Sequence, residues 1–404
     1  MAATLAGATQ DEVRRHNLGG LLRILHVRGA ISRSDLTALT GLNRSTVGAL
    51  TGELALAGLV REVAPVGRGG AGRPSIVVEP ASDRVFVLAL DVGAHRLAAA
   101  RVGLGGQILD RRELRQHEAD YGISRTLRRV RKLTAEVLKG APGGATCVGV
   151  GVGVCGVVRH DDGLVRFAPN LGWVDVPFGH LLADLLPGHL PIAVGNDADL
   201  GAIAEHVRGA AVGADNVVYL AAEAGVGGGI ILDGVPLGGA GGYGGEVGHM
   251  IVNPRGRRCR CGARGCWETE IGEDALLLAA GIVPGGTADA SGVIAAAEAG
   301  NPRARTALRR VGGWLGIGVA NLVNLFNPEV VVFGGVLRDV FPEVRAQVEQ
   351  ALRLALTAPR EQVRLVLPAL GADSVIIGAA EVAFGPLLDD PLGGFGRAVE
   401  RQLA

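Results

Sequence analysis

This chain of 404 residues is poor in cysteine, carries no net charge and has no long apolar run, and each absence excludes a class of protein. Five cysteines, an odd number, without a secretory leader argue against a disulfide framework, so the thiols are expected to stay reduced. Forty basic residues balance forty acidic ones. No global basic field announces nucleic acid, and any DNA contact has to be local. No uninterrupted apolar stretch reaches the roughly 18 residues of a membrane helix. The opening "MAATLAGATQDEVRRHN" lacks a charged start followed by an apolar core. A soluble, cytoplasmic protein with no membrane partner is expected. The 65 glycines interrupt Val/Ile/Leu runs at turn-like positions, the habit of a folded α/β protein and not of a low-complexity one. At this length two or three domains can each bury a core.

Residues 12–64 repeat leucine and valine at three- and four-residue spacings, the sign of amphipathic helices. Three helices fit, with Ser34 and Asn43 as caps and Gly41 in a tight turn between the second and third. That is a helix-turn-helix pattern. Its third helix would begin at Asn43, Arg44, Ser45 and Thr46, at the end that meets base edges and phosphates in this motif. The following "GLVREVAPVGRGGAGRPSIVVEP" reads as strand, glycine-rich tip and strand, a wing carrying Arg68 and Arg73 for a narrow minor groove. Residues 1–80 hold nine arginines against six acids, a local charge of +3. A small helical bundle for protein contact is the competing reading; the pattern, turn and arginine-bearing wing together favour DNA.

Two later stretches repeat one design. "VFVLALDVGAHRLAAARVGLGGQIL" and "NVVYLAAEAGVGGGIILDGVPLGGA" each run apolar strand, acid, glycine and second apolar strand. Asp91 matches Glu223, and Gly93 matches Gly225. Two similar lobes that present such hairpins to a cleft would let glycine amides approach an anion, although ordinary tight hairpins explain the pattern equally well. Between them, "PIAVGNDADLGAIAEHV" ends a strand and starts a helix at Asn196 and Asp197. Asp197 reads as a helix cap, as a carboxylate at a cleft mouth, or as both.

Three of the five cysteines fall in "CRCGARGCWE", with His249 ten residues before Cys259. His249, Cys259, Cys261 and Cys266 make a complete tetrahedral set for a structural zinc, and glycines 256, 262 and 265 supply the turns. A Cys-x-Cys disulfide is awkward in a reduced compartment, and the arginines around these thiols oppose a plain buried role. Cys147 and Cys155 sit in a Gly/Val strand region and read as core. A zinc here would tie down the segments carrying Glu246 and Glu268. Those acids, with Asn170, Asn196 and Asp197, offer what sugar hydroxyls need.

In order, "APNLGW", "GNDADLGA", "EAGVGGGI", "GGEVGHM", "CRCGARGCWE" and "NPEVVVFGG" resemble the motifs of the ROK family of bacterial repressors and sugar kinases, across residues 84 to about 385. The head, ending in "GRP", looks like the winged helix of that family's regulators. The resemblance implies an α/β chain: a winged helix-turn-helix in 1–80, then a two-lobed actin-like (ribonuclease H-like) fold with lobes at 84–195 and 196–383 and a C-terminal helix, 384–404, returning to the first. It implies zinc on His249, Cys259, Cys261 and Cys266, and a sugar held by Asn170, Asn196, Asp197, Glu246, His249 and Glu268. In kinase members the residue matching Asp197 is the base for the attacking hydroxyl.

The phosphate loops depart from the kinase pattern. Kinase members usually read Asp-x-Gly-x-Thr where this chain has Asp91, Gly93, Ala94 and His95, and Gly-Thr-Gly where it has Glu223, Ala224 and Gly225. Two hydroxyls are missing and an acid stands where a polyanion would sit. Repulsion between unit charges ~4 Å apart is on the order of 4 kcal/mol at an effective dielectric near 20. ATP-magnesium is therefore disfavoured. The leading expectation is a sugar- or sugar-phosphate-responsive repressor that reads operator DNA as a homodimer or homotetramer. A sugar kinase with a fused DNA-binding head is the alternative, and a regulator answering to another protein is a third.

Overall fold

The structure is a computed structural model that describes residues 9–64, 75–117, 120–284 and 288–403. Its first 80 residues supply α1 (Gln10–Arg28), β1 (Ile31–Ser32), α2 (Arg33–Thr40), α3 (Arg44–Leu56), β2 (Val60–Val63) and β3 (Val77–Pro80), with the strands paired antiparallel in the order β1-β3-β2. Local chemistry accounts for the helix ends. Thr9 and Glu12 form a capping box on α1. Gly41 ends α2 in the left-handed region at φ 69°, and Asn43 Oδ1 accepts from the Thr46 amide at 2.8 Å to start α3. The cap of α2 is Ser32 and not the expected Ser34: Ser34 falls inside the first turn, where its hydroxyl meets Ser32 Oγ at 2.7 Å. The tip bearing Arg68 and Arg73 lies outside the described residues.

Two five-stranded sheets follow, built alike. The first holds β4 (Val85–Val92), β5 (Arg96–Gly103), β6 (Ile108–Arg115), β7 (Thr146–Val154) and, after an excursion, β11 (Ile192–Asn196). That excursion is a small antiparallel sheet of β8 (Val157–Arg159), β9 (Leu164–Ala168) and β10 (Trp173–Val176). Helices α4 (Ile123–Lys139) and α5 (Phe178–Leu185) belong to this half, and α6 (Asp197–Arg208) leads to the second. There β12 (Val217–Ala222), β13 (Val226–Leu232), β14 (Val235–Pro236), β15 (Val330–Gly335) and β16 (Arg364–Val366) make the second sheet, with α7 (Glu268–Ile271), α8 (Glu273–Ala279), α9 (Ala290–Glu298), α10 (Pro302–Phe326), α11 (Leu337–Leu352) and α12 (Thr357–Gln362). The strand orders are β11-β7-β4-β5-β6 and β14-β13-β12-β15-β16. In each sheet three strands meander antiparallel, a fourth pairs parallel with the first, and a fifth pairs parallel with the fourth. The repeated hairpins of the sequence are thus the matching openings of two copies of one topology.

Helices α13 (Ser374–Asp389) and α14 (Pro391–Leu403) finish the chain, so the expected single C-terminal helix is broken at Asp390. The sequence boundary at 383 falls inside α13, which lies on the first sheet. Period-two alternation in "TCVGVGVGV" explains how. Val150, Val152 and Val154 of β7 face one core, while Gly149, Gly151 and Gly153 face α13. A Cβ on Gly151 would stand 1.8 Å from the Ala379 carbonyl oxygen. By length and composition Gly371–Asp389 could cross a membrane, but it sits as a core helix, mostly buried. Its far end packs on the N-terminal helices: Leu18, Leu21, Leu22 and Leu25 of α1 share one core with Ile376, Ala380 and Phe384. Gly19 lets α1 approach closely, since a Cβ there would be 2.6 Å from the Leu388 carbonyl oxygen.

Candidate functional site

Strand ends from both halves open into one cleft of about 360 Å³, within the size range of small-molecule sites. Asn170 reaches it from the turn after β9, Asn196 from the end of β11, Asp197 from the first turn of α6, Glu246 and His249 from a single turn at Val247–His249, and Glu268 from the start of α7. All six residues expected at a sugar line this one cleft.

Asn196, not Asp197, caps α6. Its Oδ1 accepts from the amides of Ala198 at 2.8 Å and Asp199 at 3.2 Å, and its Nδ2 donates to the Gly156 carbonyl at 3.0 Å. Asp197 accepts from the Ala198 amide at 2.9 Å and otherwise faces the cleft. Burial, then the charges of Glu223 and Asp91, push its carboxyl well above the usual carboxylate range. Next to it Asp199 is pushed up to about 7 by burial and by Glu246. Across the cleft Arg260 Nη1 donates to Asn170 Oδ1 at 2.5 Å, which turns the Asn170 amide nitrogen toward Gly225. A Cβ at Gly225 would meet that nitrogen and Glu268 Oε2, each at 3.1 Å.

The wall behind Glu268 holds the cysteine cluster. One ligand atom from each of His249, Cys259, Cys261 and Cys266 lies within 4.8 Å of all the others, so the four could hold a metal ion. The Cys261 and Cys266 sulfurs are 3.7 Å apart, and His249 Nδ1 is 3.8 Å from Cys259 Sγ. Two sulfurs on a tetrahedral zinc at about 2.3 Å each would be about 3.8 Å apart, so the cluster fits that ion. Gly265, at φ 76°, makes the tight loop: a Cβ there would fall 1.7 Å from the Asn253 carbonyl oxygen. His249 turns its Nε2 the other way, 3.9 Å from Glu246 Oε2. The fully buried Trp267 anchors this wall and donates from Nε1 to the Trp314 carbonyl at 2.8 Å.

The phosphate end is built differently. Asp91 is 4% exposed, and its Oδ2 accepts from both Nε (3.0 Å) and Nη2 of Arg96, whose Nη2 also reaches the Ala372 carbonyl at 3.2 Å. Both Arg96 contacts go to Asp91 Oδ2, so a cation at Asp91 would have to share the carboxylate with a guanidinium. Glu223 lies beside the pair: a Cβ on Gly93 would be 3.5 Å from its Oε2 and 3.8 Å from Asp91 Oδ1. Burial first, then the Asp91 charge, push Glu223 up to about 7 against the pull of Arg96. Bare repulsion at Glu223 is therefore weaker than the sequence suggested, because the group is near half-protonated at neutral pH and a guanidinium stands close by. His95 and Ala224 line the same end of the cleft. The reading of the residues missed Arg96. Its signal was the hairpin register, since Arg96 shares a β5 face with Ala98, the cross-strand partner of Asp91.

Cys147 is pushed up to about 12 by burial, an inert thiol as expected of a core residue, while Cys155 forms part of the cleft wall. At the other end of the molecule Asn43, Arg44 and Ser45 are exposed and Thr46 is half-buried at the start of α3. Ser45 Oγ donates to Asn43 Oδ1 at 2.6 Å.

Residues 87–385 match the ROK family. The chain belongs to that family. Among curated relatives, the xylose repressor of Caldicellulosiruptor bescii is 33% identical over 318 residues, which are 75% of this chain and 79% of that one. A crystal structure of a ROK family transcriptional regulator, a homolog of the E. coli MLC protein, superposes with a TM-score of 0.77 at 26% identity and covers 97% of this chain and 99% of its own. A ROK family glucokinase from Streptomyces griseus, solved with glucose and AMPPNP, gives a TM-score of 0.66 at 27% identity, covering 74% of this chain and 99% of its own. The regulator's likeness takes in the N-terminal elements, and the kinase's covers a smaller share of the chain.

Proposed function

We propose that the protein is a sugar-responsive transcriptional repressor of the cytoplasm, in which residues 1–80 form a winged helix-turn-helix that reads operator DNA and the ROK cleft, between lobes built on the two five-stranded sheets, binds a sugar or sugar phosphate. Asn43, Arg44, Ser45 and Thr46 enter the major groove, and the wing arginines Arg68 and Arg73 follow the minor groove. A homodimer or homotetramer gives the two-fold spacing that a pseudo-palindromic operator requires. Zinc on His249, Cys259, Cys261 and Cys266 stiffens the wall that carries Glu268 and leaves His249 Nε2 toward the ligand. Asp197, Asn196, Asn170, Glu246 and Glu268 share the sugar hydroxyls as donors and acceptors.

The observation that carries this reading is the contrast between the two ends of one cleft. Its sugar end gathers six polar residues, while its phosphate end spends Asp91 on Arg96 and replaces the missing hydroxyls with Glu223, Ala224 and His95. Sugar binding without phosphoryl transfer follows. The likeness to the xylose repressor and to the MLC-type regulator supports the same conclusion.

A sugar kinase with a fused DNA-binding head is the second reading, favoured by Asp197 at the cleft and by the likeness to the Streptomyces griseus glucokinase. Coupled ADP release from zinc-loaded protein, given ATP-magnesium and a panel of hexoses, pentoses and N-acetyl sugars, separates the two. The expected result is no turnover, together with a sugar that raises the melting temperature. Turnover that disappears in Asp197→Asn would replace the repressor reading with the kinase one.

A further inference from the structure

Helix α6 has two occupied ends. Its N-terminal turn brings Asn196 and Asp197 to the cleft, and at a rise of 1.5 Å per residue its C-terminal Arg208 lies roughly 16 Å away. There Arg208 ties together three separate segments. Nε donates to Glu381 Oε1 of α13 at 2.6 Å, Nη1 to the Gly105 carbonyl between β5 and β6 at 3.0 Å, and Nη2 to the His26 carbonyl in the last turn of α1 at 2.9 Å. His26 completes the knot. Its Nδ1 accepts from the Gly105 amide at 2.9 Å, so its proton sits on Nε2, which donates to Glu381 Oε2 at 3.1 Å. His26 is wholly buried, and the Glu381 and Arg208 side chains are 8% and 12% exposed.

The same helix is clamped to α13 again at Glu205, one turn before Arg208. Fully buried Glu205 of α6 accepts from the Ser374 hydroxyl at 2.8 Å and from the amides of Ala369 and Leu370 at 2.9 and 3.0 Å. Ser374 itself lines the cleft. Helices α6 and α13 therefore form one stiff pair that touches the cleft at one end and α1 at the other, where Asp389 also pairs with Arg23.

We propose that Arg208 is a positioning residue through which occupancy of the cleft sets the placement of α1, and with it the DNA-reading helices; this rests on the repressor reading above. A ligand held by Asn196 and Asp197 shifts α6 and α13 together. Because α6 and α13 move as a pair, the shift bears on the Arg208 bonds to the His26 carbonyl of α1 and the Gly105 carbonyl of the β5–β6 turn, and α1 answers to it through them.

The test uses the full chain: wild type, Arg208→Lys, Arg208→Ala, and Arg208→Ala with Glu381→Gln, the last because it leaves no unpaired buried carboxylate to prevent folding. D-xylose and D-glucose are the probes, melting shift reports the cleft, and fluorescence anisotropy on a duplex selected from a random pool reports DNA affinity. The wild type is expected to change DNA affinity about tenfold with the active sugar, within the usual range of allosteric coupling. The double variant should keep the melting shift and its sugar-free DNA affinity while its sugar response falls to about a fifth or less of the wild-type factor. Arg208→Lys should restore part of that response. A double variant that responds like the wild type overturns the proposal. A wild type whose cleft binds sugar and whose DNA affinity ignores it overturns the coupling and leaves the cleft assignment standing. A wild type with neither sugar shift nor DNA binding overturns the repressor reading and the coupling with it.

Discussion

Glu223→Gln is the most informative single change at the phosphate end of the cleft. The folded protein holds the Glu223 carboxyl at about 7 against an ordinary 4.5, burial being the first cause and Asp91 the second. A carboxyl raised on folding keeps its proton in the folded chain after the unfolded chain has lost it. Stability then falls as pH rises from 4.5 to about 7 and is level above that. At about 1.4 kcal/mol per pH unit the penalty at pH 8 reaches about 3 kcal/mol, and at pH 5 it stays under about 1 kcal/mol. Glutamine keeps the shape and never ionises. The variant should therefore be more stable than the wild type by up to about 3 kcal/mol at pH 8, with most of that gain gone at pH 5. Paired unfolding curves at pH 5, 6, 7 and 8 measure it, and the difference between variant and wild type removes the parallel titration of Asp199, also near 7. An equal gain at pH 5 and pH 8, or a loss at pH 8, would refute the account of a strained, buried acid.

Three further outcomes are expected. Chelation should remove a single zinc per chain from the His249 and cysteine cluster, lower the melting temperature and abolish the sugar-induced shift together, read by metal analysis and melting curves. Arg44→Ala should weaken operator binding and reduce the slope of log affinity against log salt by about 1, measured by anisotropy from low to high salt. Gly318→Ala should destabilise the second half by about 1–3 kcal/mol, because its Cβ would sit 2.0 Å from the ring of buried Trp267; tryptophan fluorescence and urea unfolding check it.

Features that live within one stretch of chain were legible in the sequence. The paired hairpins, the Asn43 cap, the turn at Gly41 and the cysteine spacing each depend on residues a few positions apart, and each stands where the periodicity indicated. Asn170, Asn196 and Glu268 could be grouped through family motifs. What escaped depends on pairing across the fold. His26 and Glu381 are 355 positions apart and Arg208 and Glu381 are 173 apart, and no local pattern joins them. Arg96 escaped for another reason: an arginine opening a strand looks like a solvated end until the register sets it beside Asp91.

The glycine face of β7 has a counterpart in β13, where a Cβ on Gly229 would stand 2.3 Å from the Ala198 carbonyl oxygen of α6. Both helices of the stiff pair thus rest on bare backbone, at positions where even a methyl group collides with a carbonyl or, at Gly153, with the Val375 side chain. Such sites have no conservative substitution available. Random mutation along Gly149, Gly151, Gly153 and Gly229 should be almost uniformly harmful, while exposed positions such as Val235 and Leu354 drift freely. In a deep mutational scan the least tolerant track in the molecule should run along these two strands and mark the seat of α6 and α13 without reference to any ligand.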